Sequence, residues 1–422
     1  MSPAILTLLI LLGAVLCFLF EVFPLAITSL LVVVALSVSK VLTPKEALAG
    51  FSNDTTILIW FMAPVGEALF KTGFGNWIGQ KALAWAGKSQ IKLIAAIMTA
   101  AAVLSAFSSN TGTTLVMAPL VVAMAAVVEV SPSVLLLPLA YAASFGGMLT
   151  LIGTPPNMIA NGALKDATKG AMQFGFFDFG KVALPVTILG ILYMMHIGRK
   201  QVPARLPVAK AADIKQQAYK TDKMWTSVAI LVIVVVAMFF EQQISQFGLN
   251  LAVIAVAGAI LTVVTRCLTI KEFHGSVEWT AVILFAGMLP LGTAMQKTGA
   301  AKMVAEWFIK LLPSPSPMLL TAMVILGAGV LAQFMSHTAA TSILAPVCVA
   351  LAGQLKVSPA PLLMALCQAT SIAMATPIGT PPNVIVYEKG GYKFSDFTVT
   401  GLPIFIFSWI ILTILVPVVI PF

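Results

Sequence analysis

The sequence predicts an all-α polytopic membrane protein built from two inverted repeats, each of about five spans with a re-entrant helical hairpin and a broken helix. Three observations carry that expectation. Of the 422 residues, 59% are hydrophobic and only 9% charged, with a mean hydropathy of +1.02; a soluble domain carries roughly 25% charged residues. Uncharged runs at Pro3–Phe20, Pro24–Ser39, Trp225–Phe240 and Phe247–Thr265 each approach the ~20 residues that cross hydrocarbon. The chain also matches itself when displaced by about half its length.

The first repeat, residues 1–198, is expected to place full spans near 3–20, 24–41 and 55–72, followed by an amphipathic segment at 74–88. The opening run has no basic segment before it and no small-residue cleavage site after it, so it is read as a retained span. Next come an uncharged run at 93–128, an interrupted span at 133–165 and a last span at 181–198. If 93–128 enters and leaves on one side, about five crossings remain, and an odd number inverts the second half.

Residues 199–224 form the linker. They carry Arg199, Lys200, Arg205, Lys210, Lys215, Lys220 and Lys223 among prolines and polar residues, which marks a cytoplasmic loop under the positive-inside rule. That placement accounts for much of the formal charge of +9 without nucleic acid. It puts Lys71, Lys81, Lys92, Arg266, Lys271, Lys389 and Lys393 inside, together with Lys88, and both termini outside. The second repeat, 225–422, has its hairpin at 317–355 and its broken helix at 357–390. Cys17, Cys267, Cys348 and Cys367 lack metal-ligand spacing and read as free thiols among apolar residues.

Three blocks define the repeat. Lys71-Thr72-Gly73 meets Lys297-Thr298-Gly299 at a shift of 226, and Ser109-Asn110-Thr111 meets Ser336-His337-Thr338 at 227. Gly153-Thr154-Pro155-Pro156-Asn157 meets Gly379-Thr380-Pro381-Pro382-Asn383, again at 226. Biased composition would not reproduce the last block twice.

Polar chemistry enters the apolar runs at the last two blocks. A continuous helix over 93–128 would measure roughly 54 Å at 1.5 Å per residue, against a ~30 Å core. The arms Leu93–Phe107 and Leu115–Val128 each read as too short to cross comfortably, so a re-entrant hairpin with the serine-threonine tip near the midplane is the economical solution. The arms of the second hairpin are longer, and two crossings with a short loop fit them equally; the repeat favours the hairpin. At each Gly-Thr-Pro-Pro-Asn block, two prolines remove two donors and exclude helix at the preceding threonine. The helix must unwind there. Freed carbonyls suit a hard cation, and amides at the next helix start suit an anion. The bland alternative is a proline kink without a site.

Charges are scarce where they would matter. Arg199, Arg205 and Arg266 sit in or beside cytoplasmic loops. The one candidate mid-span carboxylate is Glu67, which an i,i+4 pair with Lys71 explains. This disfavours proton-coupled cation pumping, which uses buried carboxylates. No nucleophile–base pair or metal cluster points to a membrane enzyme.

These paired tips and breaks resemble those of the divalent-anion:sodium symporter family, which carries di- and tricarboxylates or sulfate. The resemblance covers essentially the whole chain, with one N-terminal span fewer than many members carry. It implies an elevator-type transporter, a homodimer with a scaffold and a moving domain, in a bacterial inner membrane. It implies sodium as the coupling ion and no other cofactor. Carried over to this sequence, Ser105, Ser109 and Asn110 with the Gly153 backbone would surround one sodium. Asn110, Thr111, Thr154, Ser336, His337, Thr338, Thr380 and Pro381 would meet the substrate. A second sodium at Ser336 and Gly379 has lost oxygen ligands, because Ala332 stands where Ser105 does and His337 where Asn110 does; imidazole is a poor partner for a hard cation. His337 therefore has two readings: a group that bonds the anion or replaces a cation's charge, or a neutral ring bonded to a hairpin carbonyl. The expected cargo is a C4-dicarboxylate such as succinate, malate or fumarate, with sulfate, a tricarboxylate such as citrate, or sodium-independent exchange as alternatives.

Overall fold

The computed structural model describes residues 2–20, 22–87, 89–207, 219–311 and 316–422. Lys88 and the middle of the expected linker, including Lys210 and Lys215, lie outside the described residues. Among the described residues the regular structure is entirely helical.

Helices α1 (Pro3–Leu19) and α2 (Leu25–Val38) open the chain. They expose Leu9, Leu12, Leu31 and Val34 on their outer faces, as helices bathed in lipid do. A Thr43–Glu46 capping box starts the short α3 (Pro44–Leu48), and Asn53 caps α4 (Asp54–Lys71). Gly73 then turns the chain at φ 86°, so α5 (Phe74–Ala86) leaves α4 at 53°. Glycine tolerates that left-handed backbone without a Cβ clash. The second half repeats the device, with Gly299 at φ 77° between α16 (Trp279–Thr298) and α17 (Ala300–Leu311). The Lys-Thr-Gly block is thus a helix stop.

The first hairpin comprises α6 (Gln90–Phe107) and α7 (Asn110–Val127), and the broken span comprises α8 (Ser133–Gly147) and α9 (Pro155–Ala167). Helix α10 (Asp178–Tyr193) passes through a widened turn at Met194–Gly198 into α11 (Arg199–Gln201). After the linker come α12 (Met224–Phe239), α13 (Glu241–Ile244), α14 (Leu251–Val264) and α15 (Ile270–Ser276), and then α16 and α17. The second hairpin is α18 (Pro317–Phe334) and α19 (His337–Leu355), the second broken span is α20 (Ala360–Ser371) and α21 (Pro381–Gly390), and α22 (Phe394–Val419) closes the chain.

The core is built around α8 and α20, in which every residue is buried. A helix apolar on all sides can satisfy that only at the centre of a bundle. Helix α6 packs on α8, and α18 on α20; a Cβ on Gly146 would collide with the Ala102 carbonyl. The halves are interleaved, because α7 packs on α21 and α19 on α9.

The hairpin arms differ from the sequence expectation. Both α6 and α7 are 18 residues long, or roughly 27 Å at 1.5 Å per residue, so neither is short for a crossing. The reason is local: Ser109 caps α7, so Asn110 to Thr114 are helical and the tip loop shrinks to Ser108-Ser109. Among the described residues, eight helices are long and apolar enough to cross a membrane, nine if the bent pair at α4–α5 counts as one span. The hairpin arms are among them, whereas α1, α2 and α14 are shorter apolar helices.

Ion pairs lie outside this core. Asp54 bonds Lys165 at 2.7 Å, and Glu46 bonds Lys297. Lys220 bonds Glu272 at 2.6 Å, and Arg205 makes a two-pronged pair with Asp396 at 2.8 and 3.1 Å. Glu67 lies 3.6 Å from Lys71, the expected helical pair.

Candidate functional site

The two prolines act as anticipated. Thr154 and Thr380 are extended (φ −150° and −132°), and each precedes a helix whose first residues are the two prolines. The gaps between helices, seven residues in the first half and nine in the second, are strapped by matching bonds. Asn157 Nδ2 donates to the Thr150 carbonyl at 2.8 Å, and Asn383 Nδ2 to the Thr376 carbonyl at 2.8 Å. The Thr150 hydroxyl donates to the Ala106 carbonyl, and the Thr376 hydroxyl to that of Gln333 at 2.6 Å. Each break is therefore fastened to the last turn of its own hairpin's first arm. At the tips, Thr114 donates to the Asn110 carbonyl and Thr341 to the His337 carbonyl, both at 2.8 Å.

The first tip gathers oxygens. Ser105 Oγ donates to the Ala143 carbonyl at 2.7 Å, and Asn110 Oδ1 lies 2.6 Å from the same hydroxyl oxygen. Seated with its nitrogen inward, the Asn110 carboxamide instead donates to Ser105 Oγ at 2.6 Å, Ala143 O at 3.0 Å and Gly153 O at 3.1 Å, which satisfies the tip without an ion. The orientation of an amide is assigned from its neighbours. Oxygen inward, four oxygens from Ser105, Asn110, Ala143 and Gly153 converge, an arrangement that repels itself unless a small cation sits between them. Gly147 makes room for this: a Cβ there would collide with Asn110 Oδ1. Ser109 is not part of the cluster; its Oγ accepts the Gly112 amide at 2.9 Å.

The second tip is built differently. The His337 amide donates to the Gly379 carbonyl at 3.2 Å, and Ala332 offers only a methyl group at the place of Ser105. His337 is 3% exposed, and its Nε2 lies 3.4 Å from Thr154 Oγ1. That contact joins the break of one half to the tip of the other. Four helix starts therefore lie together, at Asn110, Thr154–Pro155, His337 and Thr380–Pro381. Each favours negative charge by about 0.3–1 kcal/mol. His337 Nδ1, Thr380 Oγ1, Asn157 Oδ1 and Asn383 Oδ1 are buried there without a partner, the condition of groups that await a ligand or water. Thr338 is buried, while Thr111, Ser336 and Pro381 are half-buried.

A cavity of about 310 Å³ lies between α9, α16 and α19. Ser342, Thr293, Gln296, Asn53 and Asp166 supply its polar lining. Ser342 also donates to the Thr338 carbonyl at 2.9 Å, so the cavity ends one helical turn from the second tip. Its size falls within the range of small-molecule sites.

The residues 15–354 and 314–422 match the model of the citrate transporter family, CitMHS. The chain belongs to the citrate transporter family. It is a multi-pass membrane transporter and not an enzyme, and membership bears out the resemblance seen in the tips and breaks. This citrate-transporter relative is 25% identical over 436 residues to the sodium-dependent dicarboxylate transporter SdcS of Staphylococcus saprophyticus, covering 95% of this chain and 83% of that one. It is 28% identical over 403 residues to the uncharacterized transporter MJ0672 of Methanocaldococcus jannaschii, covering 94% and 89%. The solved structure of the Alcanivorax borkumensis YdaH transporter has a TM-score of 0.63 at 15% identity, covering 86% of this chain and 84% of that one. At that identity the likeness is one of fold.

Several residues at the site escaped the sequence reading. Ala143 contributes through its carbonyl, to which side-chain type is blind. Gln368 reaches from α20 to the Met148 carbonyl at 3.4 Å, a contact between halves. Glu278 borders the first tip, in one small cavity with Ser108 and Ser109 and with Thr111 nearby. It stands in the polar stretch before α16, where nothing in the sequence marks it as part of the site.

Proposed function

We propose that this transporter carries small divalent organic anions, C4-dicarboxylates such as succinate, malate or fumarate, in symport with sodium. The observation that carries the reading is the meeting of four helix starts at two hairpin tips and two breaks, beside a four-oxygen cluster at the first tip. No lysine or arginine side chain is among these residues. Helix dipoles and hydroxyls hold the anion, with Thr111, Thr154, Ser336, His337, Thr338, Thr380 and Pro381 around it. A cation at Ser105, Asn110, Ala143 and Gly153 offsets its charge. The name of the staphylococcal relative supports both the cargo and the ion.

The two repeats are supported by bonds that recur at shifts of 226 and 227, and their inversion, with the linker 199–224 on the cytoplasmic side, rests on the distribution of basic residues. A homodimer working as an elevator in a bacterial inner membrane follows from the family resemblance. A second reading, sodium-independent exchange, is favoured by one observation: at the second tip, Ala332 and His337 replace a hydroxyl and a carboxamide. Citrate or sulfate remains the alternative cargo.

Uptake of labelled succinate, citrate and sulfate into proteoliposomes tests the proposal. Succinate is expected to accumulate only with an inward sodium gradient. Accumulation by counter-flow without sodium supports exchange, and no transport of any of the three anions overturns the anion reading.

A further inference from the structure

A second, smaller cavity of about 30 Å³ lies against the first tip. Its volume is room for one or two water-sized species. Ser108, Ser109, Gly153 and Pro155 line one side, and Ile59, Met62 and Met158 much of the rest. Glu278, the residue before α16, is the charged side chain in this lining. It faces the hydroxyls of Ser109 and Thr111, and Ser109 Oγ already accepts the Gly112 amide.

A carboxylate beside apolar side chains requires a counter-charge or a full set of donors. Two hydroxyls are too few for a group with about four acceptor positions. No ammonium or guanidinium lines the cavity among the described residues. A carboxylate so placed either takes up a proton or holds a small soluble cation, and the oxygens gathered beside it favour the cation. Carboxylate, hydroxyl and carbonyl oxygens are the ligands a hard cation selects.

We propose that Glu278, with the Ser109 and Thr111 hydroxyls, forms a sodium-binding subsite in this cavity, next to the cluster at Ser105 and Asn110. Gly153 links the two, because it lines the cavity while its carbonyl belongs to the cluster. The subsite receives the ion before it enters the cluster and draws the hairpin tip toward α16 while occupied. The inference rests on the sodium-coupled reading above and extends it to a residue outside the hairpins and breaks.

Thermal unfolding of the purified full-length protein, titrated with sodium chloride against choline chloride at constant ionic strength, tests it without transport. The wild type is expected to gain stability with sodium. Glu278→Gln is expected to raise the half-effect sodium concentration about tenfold, and Thr111→Val by a smaller factor in the same direction. Glu278→Asp, which keeps the charge but shortens its reach, falls between and serves if Glu278→Gln does not fold. A Glu278→Gln titration that superposes on the wild type overturns the subsite. If Ser105→Ala is shifted in that same experiment, the sodium-coupled reading stands without it. A wild type that does not respond to sodium overturns both.

Discussion

Thr154 and His337 meet across the molecule, with the threonine hydroxyl 3.4 Å from the Nε2 of the imidazole. Thr154 ends the break of the first half, and His337 begins the second arm of the other hairpin. Interleaved packing of α19 on α9 brings them together. Removing the hydroxyl in Thr154→Val leaves Nε2 buried without a partner, which costs about 1–3 kcal/mol. The expected outcome is a KM for the anion raised severalfold with expression unchanged, measured by initial uptake rates. An unchanged KM would remove Thr154 from the substrate site.

His337→Asn restores at the second tip the carboxamide that Asn110 supplies at the first. The expected outcome is a steeper dependence of uptake on sodium, read as a higher Hill coefficient. If sodium dependence and pH dependence both stay as in the wild type, the histidine is a neutral ring bonded within the hairpin.

Gly147→Ala places a methyl group on the carboxamide of Asn110. Overpacking of this kind costs about 1–3 kcal/mol, and here the strain falls on the cation cluster. Sodium-driven uptake is expected to drop at least tenfold while the protein still folds. Asn110→Ala should lose the sodium dependence outright without that strain. Sodium-driven uptake that survives in Asn110→Ala would dissolve the assignment of the cluster.

Lys220 closes the linker. Its amide donates to the Lys71 carbonyl at 3.1 Å, and its ammonium bonds Glu272 at 2.6 Å. Partial burial alone would raise the Glu272 carboxyl, but the bonds from Lys220 and Thr269 outweigh it and hold it at about 2, below its ordinary 4.5. A depressed folded value means the stabilisation is complete above about pH 4.5 and is lost as pH falls toward 2. Melting temperatures over that window should fall less steeply in Glu272→Gln than in the wild type. Equal slopes would show that the pair contributes nothing.

How much of the site was legible depends on which atoms carry it. Asn110, Thr154, His337 and Thr380 could be named because side-chain type and spacing mark tips and breaks, and prolines dictate where a helix unwinds. Ala143 could not, since it acts through a backbone carbonyl. Nor could Glu278, which is near the tip only because α16 packs on α4 and presents its start to Ser109. The arms of the first hairpin were underestimated for a related reason. Whether Ser109 caps a helix or sits in a loop depends on one hydrogen bond to Gly112.

Composition, hydropathy and the doubled Ser-x-Thr and Gly-Thr-Pro-Pro-Asn blocks were enough by themselves to specify a helical membrane transporter and the places where its helices stop. Those features act within a few residues, through solvent preference and backbone sterics, so they are written locally. Tertiary structure alone decided which oxygens converge at the first tip, that Thr154 touches His337, and that a carboxylate stands beside Ser109. The first of these needs α6, α7 and α8 packed together, and the other two join residues more than a hundred positions apart, which meet only once α19 lies on α9 and α16 on α4. The unlike tips, a carboxamide cluster at Asn110 and an imidazole at His337 held by the opposite break, show their difference in the sequence but their partners only in the fold.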